Sequence, residues 1–110
     1  MKKLKFRGKY KDRILSGEKR ATLRRETKLR PGDRVLVEAG EEEIGEAIIE
    51  EISEIKVEEL TDEHAREDGF SNLEELLREL SSIYGKDVLS KGTKLKLIKF
   101  DMRPKVEGEK

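Results

Sequence analysis

The chain of 110 residues has no cysteine, no tryptophan and no glutamine, a single histidine, a single asparagine, two prolines and five aromatic residues. Each shortage excludes something. Without cysteine there is neither a disulfide framework nor a thiolate metal site, and a cytoplasmic location is the default expectation. With one histidine, the common imidazole-rich metal sites and the Ser-His-Asp arrangement lack their parts, and no glycine-rich phosphate loop is present, so neither a metal nor a cofactor is expected. No N-terminal apolar run reads as a signal peptide and no segment approaches the length of a membrane span, so no membrane partner is expected.

What is abundant is charge, at 45% of residues, mostly Lys, Arg and Glu. That profile is similar to proteins from very hot environments, in which ion-pair networks cost less desolvation energy and thermolabile residues are avoided. The net charge is zero, yet residues 1–34 carry 14 basic and 4 acidic side chains, residues 35–75 carry 2 and 16, and residues 76–110 carry 9 and 5. A basic N-terminal third beside an acidic middle has two readings: a face for an anionic ligand, or blocks that neutralise each other across the fold. The length suits one domain with a modest core, over residues 1–102, followed by a charged tail at 103–110.

Hydrophobic spacing gives short alternating elements. Leu4 and Phe6 alternate with lysines in a first strand, and Tyr10, Ile14 and Leu15 mark a helix near 9–16 that Ser16-Gly17 would end in a left-handed cap. A strand near 20–25 follows, with Ala21 and Leu23 on one side and Arg20, Thr22 and Arg24 in a polar row on the other. Pro31-Gly32-Asp33 turns the chain into a strand over 34–38. Ile44 to Val57 reads as one long strand whose doubled Ile48-Ile49 predicts a bulge or bend. Thr61 caps a short helix that Gly69 stops. Ser71-Asn72-Leu73-Glu74 reads as a capping box for a helix striped by Leu73, Leu76, Leu77, Leu80 and Ile83. Lys94 to Phe100 alternates as a closing strand. The pattern lacks a repeated strand-helix-strand crossover, so the expectation is an α+β fold: a small mixed β-barrel of about five to six strands with two to three short helices.

The most informative stretch is Gly17-Glu18-Lys19-Arg20-Ala21-Thr22-Leu23-Arg24, which brings an amine, a hydroxyl and a guanidinium close to a chain-reversing glycine. Such groups can hold a polyanion or attack a carbonyl. Together, Phe6, the Tyr10-Xaa3-Ile14-Leu15 helix, Gly17-Glu18-Lys19, Thr22-Xaa-Arg24 and the Pro31-Gly32-Asp33 turn resemble the ASCH family over residues 3 to 102, which implies a PUA-like barrel. The run Glu59 to Ala65, with Leu73-Glu74-Glu75-Leu76 and Ile83-Tyr84, resembles the small bacterial branch that hydrolyses N4-acetylcytidine. That resemblance implies Thr22 as nucleophile, Lys19 as base and Glu75, ahead of its neighbour Glu74, as the catalytic glutamate that returns a proton to the leaving amine or positions the deacylating water. Arg24 would hold an oxyanion or a phosphate, with Lys9, Arg20 and Arg25 on a ribose or phosphate nearby. One objection is geometric: Glu75 sits well over about 100° around its helix from the centre of the leucine stripe.

Plainer readings stand beside these. Thr22 is a β-branched strand residue, Lys19 and Arg24 are of a kind usually found in exposed ion pairs, and Glu74 is accounted for by a cap. His64 reads as a surface or cap-packing residue, and Tyr10 and Tyr84 as core. Two functions follow: a monomeric amidohydrolase for a modified cytidine, or a non-catalytic module binding RNA or a nucleotide without DNA specificity. A regulator docking on the translation machinery through its charged faces is a weaker third.

Overall fold

A computed structural model describes residues 1–103. Five strands make one mixed sheet in the order β1-β3-β4-β5-β2, with β1 spanning Lys2–Phe6, β2 Ala21–Arg24, β3 Arg34–Ala39, β4 Glu42–Lys56 and β5 Lys94–Arg103. β1 runs parallel to β3, and every other neighbouring pair is antiparallel. The two edge strands, β1 and β2, are brought together by the curl of the sheet: Arg24 Nη2 of β2 donates to the Lys5 carbonyl of β1 at 2.7 Å. The result is a five-stranded half-barrel with an open seam, the expected PUA-like α+β architecture at the lower end of the expected strand count. The curl has a local cause in β4, whose register with β5 shifts between Ile49 and Glu51, where the doubled isoleucine predicts an irregularity.

Helix α1 (Lys11–Leu15) follows a single 3-10 turn at Gly8–Tyr10, and Gly17 takes the left-handed backbone, φ 85°, that reverses the chain toward β2. Helix α2 (Asp62–Glu67) begins at Thr61, whose hydroxyl accepts from the His64 N–H while the His64 ring accepts from the Thr61 N–H at 3.0 Å. The only histidine is thus a cap residue. Helix α3 (Leu73–Tyr84) buries Leu76 and Leu80. Its N-cap is Asn72, one residue beyond the expected Ser71, so the reciprocal carboxylate is Glu75, which accepts the Ser71 N–H at 2.7 Å. The core collects Ile14, Val35, Val37, Ile49, Leu95 and Ile98, all at most 1% exposed. Burying such side chains contributes roughly 1.5–3 kcal/mol each before entropy is subtracted.

The charge blocks neutralise each other in part. Lys2–Asp33, Lys3–Glu38, Lys11–Glu42 and Arg34–Glu46 join the basic third to acidic residues, and Lys94 and Lys96 of β5 meet Glu54 of β4. Among the described residues, Arg20, Arg25, Lys28 and Arg30 enter no ion pair. Of the expected tail, Arg103 belongs to β5 and the rest lies outside the described residues. Among the described residues no helix is long and apolar enough to cross a membrane.

Candidate active site

A cavity of about 270 Å³ opens at the seam. Its walls come from the end of β1, from Lys19 and β2, from Asp68 and Phe70 after α2, and from Leu76, Glu79, Leu80, Ile83 and Tyr84 of α3. Apolar side chains make up much of this lining, and a few polar groups converge on it, as small-ligand sites require.

Lys19 is held in place by its backbone. Its N–H donates to the Arg13 carbonyl at 2.8 Å, and it forms an isolated antiparallel bridge with Asp68. Close packing follows at Gly69, where φ is +90° and a Cβ would come within 3.0 Å of the Lys19 Cβ. The Lys19 side chain is only 3% exposed, and its ammonium is ion-paired with the Asp68 carboxylate and donates to the Asp68 carbonyl at 2.9 Å. The rings of Tyr10, Phe70 and Phe6 surround it, with centroids 4.7, 5.4 and 5.5 Å from Nζ. Burial pulls the Lys19 amine below its ordinary value, against the attraction of Asp68. The same burial raises the Asp68 carboxyl to about 6, although Lys19 opposes it. Both charged forms are therefore disfavoured by one cause, which brings the ion pair and its neutral counterpart closer in energy.

Thr22 and Arg24 come from β2, opposite Ile98 and Lys96 of β5. Thr22 is buried, not set in an outward polar row, because the Tyr84 hydroxyl of α3 donates to the Leu23 carbonyl and covers the strand. Arg24 Nε donates to the Thr22 hydroxyl at 3.3 Å, its guanidinium lies 5.1 Å from the Phe6 ring centroid, and three of its five N–H groups are left for a ligand. Burial lowers its affinity for the proton without making neutrality accessible.

The structure brings Lys19, Thr22 and Arg24 into one cavity. Glu75 is elsewhere: committed to the Ser71 amide, it lines a neighbouring depression with Lys9, Arg13 and Arg78. The one-residue shift of the helix start explains this, since the cap expected of Glu74 falls to Glu75. Lys9 lies on that depression as well, and Arg20 and Arg25 are exposed outside the seam cavity. Two acids that sequence reasoning missed do line the seam cavity: Asp68, beside the helix-stopping Gly69, and Glu79, on the polar side of α3. Tyr10 donates to the Glu79 carboxylate, and Lys9 and Arg7 lie 3.4 and 3.5 Å from it. Burial works to raise the Glu79 carboxyl, but the Tyr10 hydrogen bond and these cations outweigh it and hold the group below its ordinary value. Among the described residues no group of three or more His, Asp or Glu is arranged to hold a metal ion.

A curled half-barrel with a short-helix roof and, at its open seam, a largely apolar cavity on which a few polar groups converge defines a PUA-like domain. Solved structures bear out the fold. An ASCH domain from Lactobacillus crispatus JV V101 superposes with a TM-score of 0.71 at 18% identity, covering 84% of this chain and 69% of that one. Protein EF3133 from Enterococcus faecalis V583 gives 0.76 at 11% identity over 91% and 76%. ASCH from Zymomonas mobilis gives 0.65 at 22% identity over 92% and 67%. The ASCH domain family model matches residues 2–99, and the chain belongs to the ASCH domain family. A comparison with curated protein sequences finds no match.

Proposed function

We propose that this protein is an amidohydrolase for N4-acylated cytidine, with Thr22 as nucleophile and the Lys19–Asp68 pair handling protons. The observation that carries the reading is the convergence of a buried hydroxyl, a desolvated amine with a paired carboxylate, and a guanidinium with free N–H groups on one small cavity. A threonine hydroxyl needs a base to become a nucleophile, and a lysine supplies one only when neutral. Transfer of the Lys19 proton to Asp68 gives that neutral amine, and burial lowers the cost of the transfer.

The amine then takes the Thr22 proton as Oγ bonds to the acetyl carbon, and the carbonyl electrons move to an oxyanion held by Arg24. Collapse breaks the C–N bond, and the Lys19 ammonium returns a proton to the departing N4 nitrogen, leaving cytidine and an acetyl-Thr22 ester. Water, deprotonated by Lys19, cleaves the ester to acetate, and the Thr22 oxygen recovers its proton. Asp68 here supplies the site's carboxylate in place of Glu75, as the store for the Lys19 proton, and Lys19 itself protonates the leaving nitrogen.

The test is conversion of N4-acetylcytidine to cytidine and acetate, followed by chromatography. Thr22→Ala is expected to lower kcat by about 10³-fold or more, and turnover undiminished in that variant would refute the assignment. A second reading, a non-catalytic module for RNA or a nucleotide, draws on Arg20, Arg25, Lys28 and Arg30, four of the cations that enter no ion pair among the described residues. RNA affinity falling steeply with salt, without turnover, would favour it, because bound phosphates displace counterions.

A further inference from the structure

The reaction scheme above leaves Glu79 unused, although it is the second carboxylate in the seam cavity. Its side chain is 13% exposed, and it lines both this cavity and the neighbouring depression. A carboxylate offers about four lone-pair sites and no donor. Tyr10 takes one at hydrogen-bonding range, while Lys9 and Arg7 lie at 3.4 and 3.5 Å, at the long limit. Acceptor capacity therefore remains. Arg24 has the converse character: it is donor-only, with spare N–H groups. The cavity thus presents an acceptor from α3 and donors from β2, with Phe6, Leu23, Leu80 and Ile83 among the apolar groups around them.

We propose that Glu79 is the specificity-determining residue of this site, accepting the N4–H of a cytosine-type ring while Arg24 supplies donors to the ligand's carbonyl oxygens. The choice of ring follows from this complementarity. A flat heterocycle with an N–H on one edge and an acceptor on another satisfies both groups, and carboxylates accept from the cytosine N4 in the same manner in nucleic-acid recognition. A uracil-type ring places a carbonyl oxygen at that edge, against a carboxylate that has no hydrogen to give. The volume also fits: about 270 Å³ lies just below the range for drug-sized ligands, roughly 300–1,000 Å³, and suits a single ring with a small acyl group.

The inference rests on the nucleoside reading, and the experiment separates their failures. Cytidine, the reaction product, and uridine are titrated calorimetrically into the wild-type protein, Glu79→Gln and Tyr10→Phe, with circular dichroism to establish that each variant is folded. The wild-type protein is expected to prefer cytidine by about tenfold, the worth of one charge-assisted hydrogen bond. Glu79→Gln, which can turn its amide to either ligand, should bring the ratio below about threefold. Tyr10→Phe removes a neighbour but keeps the acceptor, so it should retain the preference. Equal wild-type affinities, or a preference surviving in Glu79→Gln, would overturn the role of Glu79 and leave nucleoside binding intact. Binding of neither nucleoside would overturn the nucleoside reading and this inference with it.

Discussion

Two lysine-acid pairs in this molecule share their chemistry and differ in where they stand. Lys96 and Glu54 face each other across β4 and β5 at 3.2 Å, with side chains 34% and 47% exposed. Lys19 and Asp68 meet in the seam cavity with side chains 3% and 6% exposed. On the sheet, the Lys96 hydrogen bond holds the Glu54 carboxyl below its ordinary range, because water already solvates the charge and a cation only helps. In the cavity, loss of water raises Asp68 despite a closer cation. Burial alone reverses the sign. An exposed pair adds little to a stable fold, whereas a buried one spends stability to hold a desolvated amine.

The strongest way to break the comparison is to remove one partner from each pair. Asp68→Ala leaves a buried ammonium uncompensated and is expected to cost about 3–5 kcal/mol in chemical denaturation. Glu54→Ala should barely move the midpoint, since its partner stays hydrated. The double variant Lys19→Met with Asp68→Leu should recover much of the loss while remaining inactive, as expected when charge burial is the cost and catalysis the return. A double variant as unstable as Asp68→Ala would show that packing, not charge, is responsible.

Gly69→Ala tests the same pair through the backbone. It combines a positive φ with a Cβ that would crowd the Lys19 side chain at 3.0 Å, so a loss of about 1–3 kcal/mol is expected, together with lowered activity. Wild-type stability and activity would show that the close approach at Gly69 does not position the amine.

The pairs also diverge with pH. The folded value of Asp68, about 6, lies above its unfolded value, so between roughly pH 4 and 6 the native state binds more protons than the unfolded chain. The contribution from Asp68 is fully present below about pH 4 and is lost as pH rises through 6. For Glu54 and Asp33, held below their ordinary values by lysine neighbours, the contribution is present above the unfolded value and lost on acidification. Asp68→Asn should therefore make stability rise more steeply with pH across this window, measured as denaturation midpoints. An unchanged slope would mean that Asp68 titrates alike in both states.

The outline of the fold was legible because strands and helices announce themselves through local period. Leu4 and Phe6, the Arg34 to Glu38 run, the leucine stripe of α3 and the doubled isoleucine of β4 each carry their own evidence. Lys19 and Thr22 were legible through a motif confined to one turn and one strand. Asp68 was not, because its partner is 49 residues away and its only local sign is adjacency to a helix-stopping glycine. Glu79 was hidden for a different reason: on the polar side of an amphipathic helix, period predicts a solvated acid, and only the curl that brings β1 and β2 beneath α3 makes that side a wall. Glu75 is placed in the cap and outside the seam cavity by a single residue of helix start, a distance at which capping preferences of Ser and Asn are nearly equal.

The smallest expected effect sharpens that last distinction. Glu75 closes the cap of α3 through the Ser71 amide at 2.7 Å, whereas Glu74 is 84% exposed and paired with Arg78 at 3.6 Å. Glu75→Ala should cost about 1 kcal/mol, the usual worth of a cap interaction, and leave kcat for N4-acetylcytidine near the wild-type value. Glu74→Ala should do neither. The informative measurement is kcat in folded Glu75→Ala, because a cap lost at one end of α3 leaves Asp68, Lys19 and Thr22 untouched. A collapse of turnover there, with the denaturation midpoint only slightly lowered, would return the acid's role to Glu75 and reduce Asp68 to a counterion for the buried amine.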